Sequence, residues 1–271
     1  MERKIVDSYN VEFGYELIAV LPYAYYLHRN GLLKETISGF DTGSFYYFSP
    51  KHTINPKQRH WDNYKKALIE SGIPNIKIHT PYLNTTEWLP PKLKDKYFIA
   101  GYRLGKNVVV ISNKRNIEWG EEPINTFSID DLKQIFDIFK NYTIVYNDTS
   151  LLINNDTYDD TVGQLGIPGI RDFLNCYSNI VTVDHLCKHW GLTYNKMQLM
   201  LYPHVDLFIS MQGGSSIFAS YYGTKNIIFA KEGRELECGS YNNWYHLLGG
   251  SKIIHVDSVN KLLYECKKEC C

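Results

Sequence analysis

Residues 206–235 read DLFISMQGGSSIFASYYGTKNIIFAKEGRE. An apolar run, 207–209, leads into Gln212-Gly213-Gly214-Ser215-Ser216, and a short helical stretch, 217–222, ends at Gly223. A second apolar run, 226–230, is closed by the charged turn Lys231-Glu232-Gly233-Arg234-Glu235. The order is strand, glycine loop, helix, strand. Backbone N–H groups at such a loop, together with a helix start, attract anions. Paired glycines let the main chain approach a ligand with no Cβ in the way. Ser215 and Ser216 are placed to cap the helix or to bond a phosphate oxygen.

Working outward, Val108-Val109-Val110-Ile111 is an uninterrupted apolar strand of the kind buried on both faces, and Asn113-Lys114-Arg115-Asn116 follows it. Ser128-Ile129-Asp130-Asp131 reads as a capping box opening a helix that runs to about Lys140. Further strands are expected at 142–146, 179–183 and 252–255, with helices at 184–190, 194–202, near 241–248 and from Ser258 onward. At the other end, strand Lys4–Asp7 is followed by a turn at Glu12-Phe13-Gly14-Tyr15 and a helix over 15–30. Leu17, Val20, Leu21, Ala24 and Leu27 set that helix's period, and Pro22 is expected to bend or restart it. Strands at 36–38, 45–48 and 76–79 and a helix at 61–71 complete a first α/β unit. Prolines 81, 90 and 91 and weak periodicity make 80–106 the expected linker. The expected domains are 1–105 and 106–271.

Composition narrows the function classes. A 271-residue chain with 44% hydrophobic and 21% charged residues is an ordinary globular one. Its 29 basic residues balance 29 acidic ones, so no global field draws it to nucleic acid or anionic membrane. The opening MERKIVDSYN has no apolar signal region, and no run approaches the roughly 18 apolar residues of a membrane span. The six cysteines form no C-x-x-C pair, which fits a reducing compartment, and a cytoplasmic protein is expected. There is no G-x-G-x-x-G after the first strand of either unit, no P-loop and no G-x-S-x-G elbow, so NAD, P-loop and serine-hydrolase chemistry are disfavoured.

The second unit resembles the nucleotide-sugar-binding domain of GT-B glycosyltransferases, the class with two Rossmann-like domains facing a cleft. The likeness covers about residues 106–256 and rests on VVVISNKRNIEW, the capped helix, TIVYN, TVDHL and DLFISMQGGSS…NIIFAKEGRE in that order. It is loosely similar to the heptosyltransferase-like, inverting members. DSYNVEFGYELIAVLPYAYYLHRNG looks like the start of the compact acceptor domain of such enzymes. The resemblance implies transfer of a sugar from a UDP- or GDP-linked donor to a glycan or other hydroxyl acceptor, as a hexosyl- or pentosyltransferase.

Residue roles follow from position. In open α/β sheets, ligands lie beyond the carboxyl ends of the strands. Asn113, Lys114 and Arg115 hold that edge after one strand, Gln212 to Ser216 after another and Lys231 to Glu235 after a third. Lys114 or Arg115 would neutralise the departing nucleotide, and Gly213, Gly214, Ser215 and Ser216 would cradle its phosphates. Glu232 or Glu235, beside Arg234, would accept from ribose hydroxyls, and Val183 or Asp184 would read the base. For the catalytic base, Glu12, Glu16, Asp41 and His52 are candidates, with Glu12 favoured because it directly follows a strand end. The adjacent pairs Asp130-Asp131 and Asp159-Asp160 lack D-x-D spacing, so no metal or other cofactor is expected. A non-catalytic nucleotide- or glycan-binding module and a sugar-nucleotide epimerase remain the alternatives.

Overall fold

The computed structural model describes residues 2–56, 88–117, 122–152 and 165–270. The expected helix at 61–71, the strand at 76–79, the start of the linker at 80–87 and Asp159-Asp160 lie outside the described residues.

Two parallel sheets organise the chain. The smaller one has the order β1 (Lys4–Asp7), β2 (Leu33–Ser38), β3 (His52–Ile54). The larger contains β4 (Val108–Ser112), β5 (Thr143–Asn147), β6 (Ile180–Thr182), β7 (Leu207–Met211), β8 (Lys225–Phe229) and β9 (Ile253–Val256). Its spatial order is β6-β5-β4-β7-β8-β9, and every neighbouring pair is parallel. Counted within this sheet, the order is third, second, first, fourth, fifth, sixth. That is the doubly wound dinucleotide-fold order, in which the connections leave the first and fourth strands in opposite directions. The fold is α/β, as the alternation of apolar runs and amphipathic helices implies. β4 and β7 are buried along their whole lengths, which explains their lack of polar alternation.

One face of the larger sheet is covered by C-terminal residues, among them Phe127, Leu132, Ile135, Phe136 and Leu262. Ser128 starts the helix Ile129–Ile138 through a complete capping box, its hydroxyl accepting from the Asp131 N–H while the Asp131 carboxylate accepts from the Ser128 N–H at 2.9 Å. The opposite face is packed by residues from both ends of the chain: Leu17, Val20, Phe45 and Tyr46 share one core with Phe208, Phe218 and Tyr222. Phe45 and Phe218 meet edge-on at 5.0 Å, and Tyr221 donates to the Leu17 carbonyl at 2.5 Å.

Two local expectations change, and that for Pro22 holds. Residues 45–48 do not form a strand. Gly43–Tyr46 is a single 3-10 turn that turns Phe45 and Tyr46 inward, and the third strand of the small sheet is β3. Glu35 anchors β3, accepting from Lys51 at 2.9 Å and Thr53 at 2.6 Å. The expected linker contains a helix, Leu93–Tyr97, because Leu93 and Tyr97 have apolar partners to bury against. The first helix is interrupted as Pro22 demands. A π-helical segment, Glu16–Val20, precedes the restart at Leu21–Arg29, where Pro22 sits in the first turn and needs no N–H partner.

Candidate functional site

The larger sheet changes winding direction between β4 and β7, and in doubly wound folds the carboxyl ends of the strands at such a point are where ligands lie. Lys114 follows β4, and Gly213 follows β7 with φ +110°, a conformation that L side chains rarely adopt. A Cβ on Gly213 would lie 3.2 Å from the Lys114 ammonium. The cation therefore stands directly over the glycine loop, and the two sequence-selected strand ends meet.

Gly214 has a second role that was not foreseen. A Cβ there would come within 2.9 Å of the Phe13 ring and 3.6 Å of the Gly14 nitrogen. A Cβ on Gly14 would in turn lie 3.2 Å from Ile217. Two glycines distant in sequence thus permit one close crossing of main chains. Glu12 belongs to this crossing: its carboxylate accepts from the Gly14 N–H at 2.9 Å and the Tyr15 N–H at 3.1 Å. Glu12 and Glu235 converge electrostatically on Tyr245. Burial first, then Glu235, and more weakly Glu12 hold that phenol well above its usual range.

A buried frame fixes the loops. Gln212 receives the Asn125 amide at 2.5 Å and donates to Glu235 at 2.5 Å. Asn125 also donates to the Glu232 carbonyl at 2.8 Å and accepts from the Lys231 N–H at 2.8 Å. One asparagine thereby ties the loop after β7 to the loop after β8. Gly233, with φ +138°, lies flat against Gln212; a Cβ on it would sit 1.9 Å from the Gln212 amide nitrogen. Beneath the glycine loop, Ser210 donates to Asn226 at 2.7 Å, and Asn226 donates to the Ser216 carbonyl and the Ser220 hydroxyl. Neither asparagine was selected as a site residue. For Asn226 the available signal was a polar residue inside the apolar run of β8; Asn125 had none.

The remaining candidates fall in distinct places. Asn113 is buried, exchanging hydrogen bonds with the main chain of Phe127, and serves as a brace. Arg115 donates to the Gly166 carbonyl at 3.3 Å. Ser216 is fully buried, its hydroxyl donating to the Gly213 carbonyl at 2.8 Å, whereas Ser215 is partly exposed beside the loop. Glu232 is exposed, and Arg234 is exposed and paired with Glu237 at 3.0 Å. Glu16 is fully buried and accepts from Ser8 at 2.7 Å and Tyr46 at 2.9 Å, a place that suits bracing the first turn rather than meeting a substrate. Asp41 is committed across the two sheets, accepting from Thr193 and from the Asn195 N–H at 2.7 Å. His52 bonds Thr36 at 2.8 Å and Ser38 at 3.2 Å, and burial lowers its proton affinity.

Val183 and Asp184 lie two strands away from β4, after β6. Val183 is buried, while Asp184 is paired with Lys188 at 2.7 Å and borders a cavity of about 360 Å³ that Arg171, Thr182 and His185 also line. Asp148, at the end of β5, is held above the usual carboxylate range by burial. Among the described residues, no group of three or more His, Cys, Asp or Glu is arranged to hold a metal ion.

No protein-family model and no curated protein matches the chain. The solved structures it is similar to include the following two, both at low identity. One is a glycosyl transferase family 9 protein from Veillonella parvula DSM 2008, at 10% identity and TM-score 0.42, covering 98% of this chain and 88% of that one. The other is the wall teichoic acid polymerase TagF, at 14% identity and TM-score 0.40, covering 98% and 79%.

Proposed function

We propose that the chain is a glycosyltransferase that takes a hexose or pentose from a UDP- or GDP-linked donor and passes it, with inversion and without a metal, to a hydroxyl of a glycan or glycoconjugate. The observation that carries this reading is the Lys114 ammonium standing over Gly213 at the carboxyl ends of β4 and β7. A diphosphate laid there meets a cation and the glycine-loop main chain, at the position where doubly wound folds take their ligands. The cavity next to Asp184 is large enough for a base, and its lining includes Leu151, which follows β5, and Asp184, which follows β6.

In the reaction, the acceptor oxygen attacks the anomeric carbon and the bond from that carbon to the phosphate oxygen breaks. Its electron pair stays on the diphosphate, where Lys114 and Arg115 offset the new charge. Glu12 takes the acceptor's proton. It is favoured over Glu16 because it stands at the crossing next to the glycine loop, whereas Glu16 is sealed beneath.

The test is a thermal titration with nucleoside diphosphates in the presence of a chelator. Ligand at about a hundred times its Kd stabilises by about 2.7 kcal/mol, a rise of roughly 5–10 °C for a chain of this size. Lys114→Met is expected to weaken binding by about tenfold or more. Failure of every nucleoside diphosphate to move the melting temperature refutes the reading. A product assay with donor alone, then with acceptors, separates transfer from epimerisation and from binding without turnover.

A further inference from the structure

The chain's net charge of zero conceals a strongly basic segment. Residues 92–106, KLKDKYFIAGYRLGK, carry five cations (Lys92, Lys94, Lys96, Arg103 and Lys106) against one acid, Asp95. Of the five, Lys92, Lys96, Arg103 and Lys106 are exposed and Lys94 is partly so.

Apolar side chains stand among them in the open. Phe98 is 55% exposed, Ile99 41% and Trp190 53%. They share one surface: Phe98 stacks on His204 at 4.9 Å, Tyr102 meets His204 at 5.0 Å, and Tyr102 meets Trp190 edge-on at 6.4 Å. The Ile99 N–H donates to His204 at 3.3 Å. Lys94 is near enough to His204 to add to burial in lowering its proton affinity. Lys196 extends the basic border, its ammonium 4.6 Å from the Tyr97 ring centre.

The surface lies at the amino ends of the strands. Lys106 shortly precedes β4, His204 shortly precedes β7, and the Asp206 carboxylate between them accepts from the Val108 N–H at 2.8 Å. The rim carrying Lys114 and Gly213 is at the opposite end of those strands, about 17 Å away for five residues at ~3.3 Å each.

We propose that this surface docks the protein onto an anionic phospholipid bilayer. Exposed aromatic and aliphatic side chains bordered by cations suit the headgroup boundary, where rings and Ile99 bury and the ammonium groups meet lipid phosphates. Lysine predominates among the cations, and its long apolar stem lets the charge reach the headgroups while the stem stays buried. A protein interface or a nucleic-acid site would favour arginine, and protein interfaces are depleted in lysine.

Vesicle co-sedimentation of the full chain tests this. Vesicles of phosphatidylglycerol mixed with phosphatidylcholine should bind it at low salt and release it as salt rises, and phosphatidylcholine vesicles should bind far less. Each cation removed from the surface weakens binding by about fivefold, so Lys94→Gln with Lys96→Gln should cost roughly 25-fold. Phe98→Ser with Trp190→Ser should also lose binding; the lysine variant should keep the parent's melting temperature, and the aromatic one should stay folded with a fall of at most about 10 °C for the ring contacts removed. The proposal is overturned if phosphatidylglycerol vesicles do not bind, if the two vesicle types bind equally, or if the variants bind like the parent. It is also overturned if poly-uridine RNA binds and vesicles do not. Nucleotide-induced stabilisation is read separately, so docking and transfer fail independently.

Discussion

Replacing Gly233 by alanine forces a conflict whose size follows from its surroundings. The new methyl would sit 1.9 Å from the Gln212 amide nitrogen and 2.3 Å from its carbonyl carbon and oxygen. Gln212 cannot yield cheaply, because it is only 2% exposed and is held by Asn125 on one side and Glu235 on the other. Displacing it breaks both bonds and strands buried partners, at about 1–3 kcal/mol. The backbone adds about 1–3 kcal/mol, because φ of +138° is strained for any residue with a Cβ. Gly233→Ala should therefore lose about 4 kcal/mol, or roughly 8–16 °C in melting temperature. Gln212→Ala alone should lose about 1–3 kcal/mol. In that background, Gly233→Ala should cost only its backbone strain, because nothing remains to collide with. Denaturant unfolding of all four proteins gives the coupling directly, expected at about 1–3 kcal/mol. A Gly233→Ala loss below about 1 kcal/mol, or strict additivity, would refute the packing described for this loop.

Other substitutions probe different levels. Asn226→Ala removes the group that ties Ser210 to Ser216 and Ser220. It should cost about 3 kcal/mol in denaturant unfolding, and a neutral result would remove this network from the account of the glycine loop. Ser128→Ala breaks the capping box of the helix Ile129–Ile138 and should cost about 1 kcal/mol, read as a lower denaturant midpoint at constant m. His52 supplies a pH test. Burial depresses its folded-state pKa below 6.5, so the folded state binds fewer protons than the unfolded chain once pH falls under that value. Its contribution is complete above about pH 6.5 and is lost as pH drops towards the folded pKa. His52→Gln should flatten stability over that interval, and an unchanged slope counts against a half-buried neutral imidazole.

The larger sheet was legible because parallel strands covered on both faces are written as unbroken apolar runs, as in Val108-Val109-Val110-Ile111. Ser128 and Asp131 marked their helix for an equally local reason. The meeting of Lys114 and Gly213 was legible in part: both were selected as strand ends, but their adjacency depends on the strand order. Residues 45–48 misled because a run of aromatics favours a strand locally, whereas Phe45 and Tyr46 satisfy a core built from both sheets. Asn125 was invisible for a related reason. Its three partners, Gln212, Lys231 and Glu232, are remote in sequence, and no spacing announces a contact of that range. Gly214 was chosen for approach to a ligand, while its near neighbours include Phe13 and Gly14.

The crossing of Gly14 over Gly214 has a consequence for how the two halves move. Phe13, Phe45 and Phe218 meet there at ring separations of 5.0 to 6.0 Å, and Phe45 and Phe218 are wholly buried. Parting the sheets would hydrate all three rings at about 1.5–3 kcal/mol each, and would also break the bond from Tyr221 to the Leu17 carbonyl. A gaping hinge is therefore the expensive motion, and a small sideways slip with the rings still in contact is the cheap one. A ligand for the proposed Lys114 site is therefore expected to enter and leave with the two sheets still clasped.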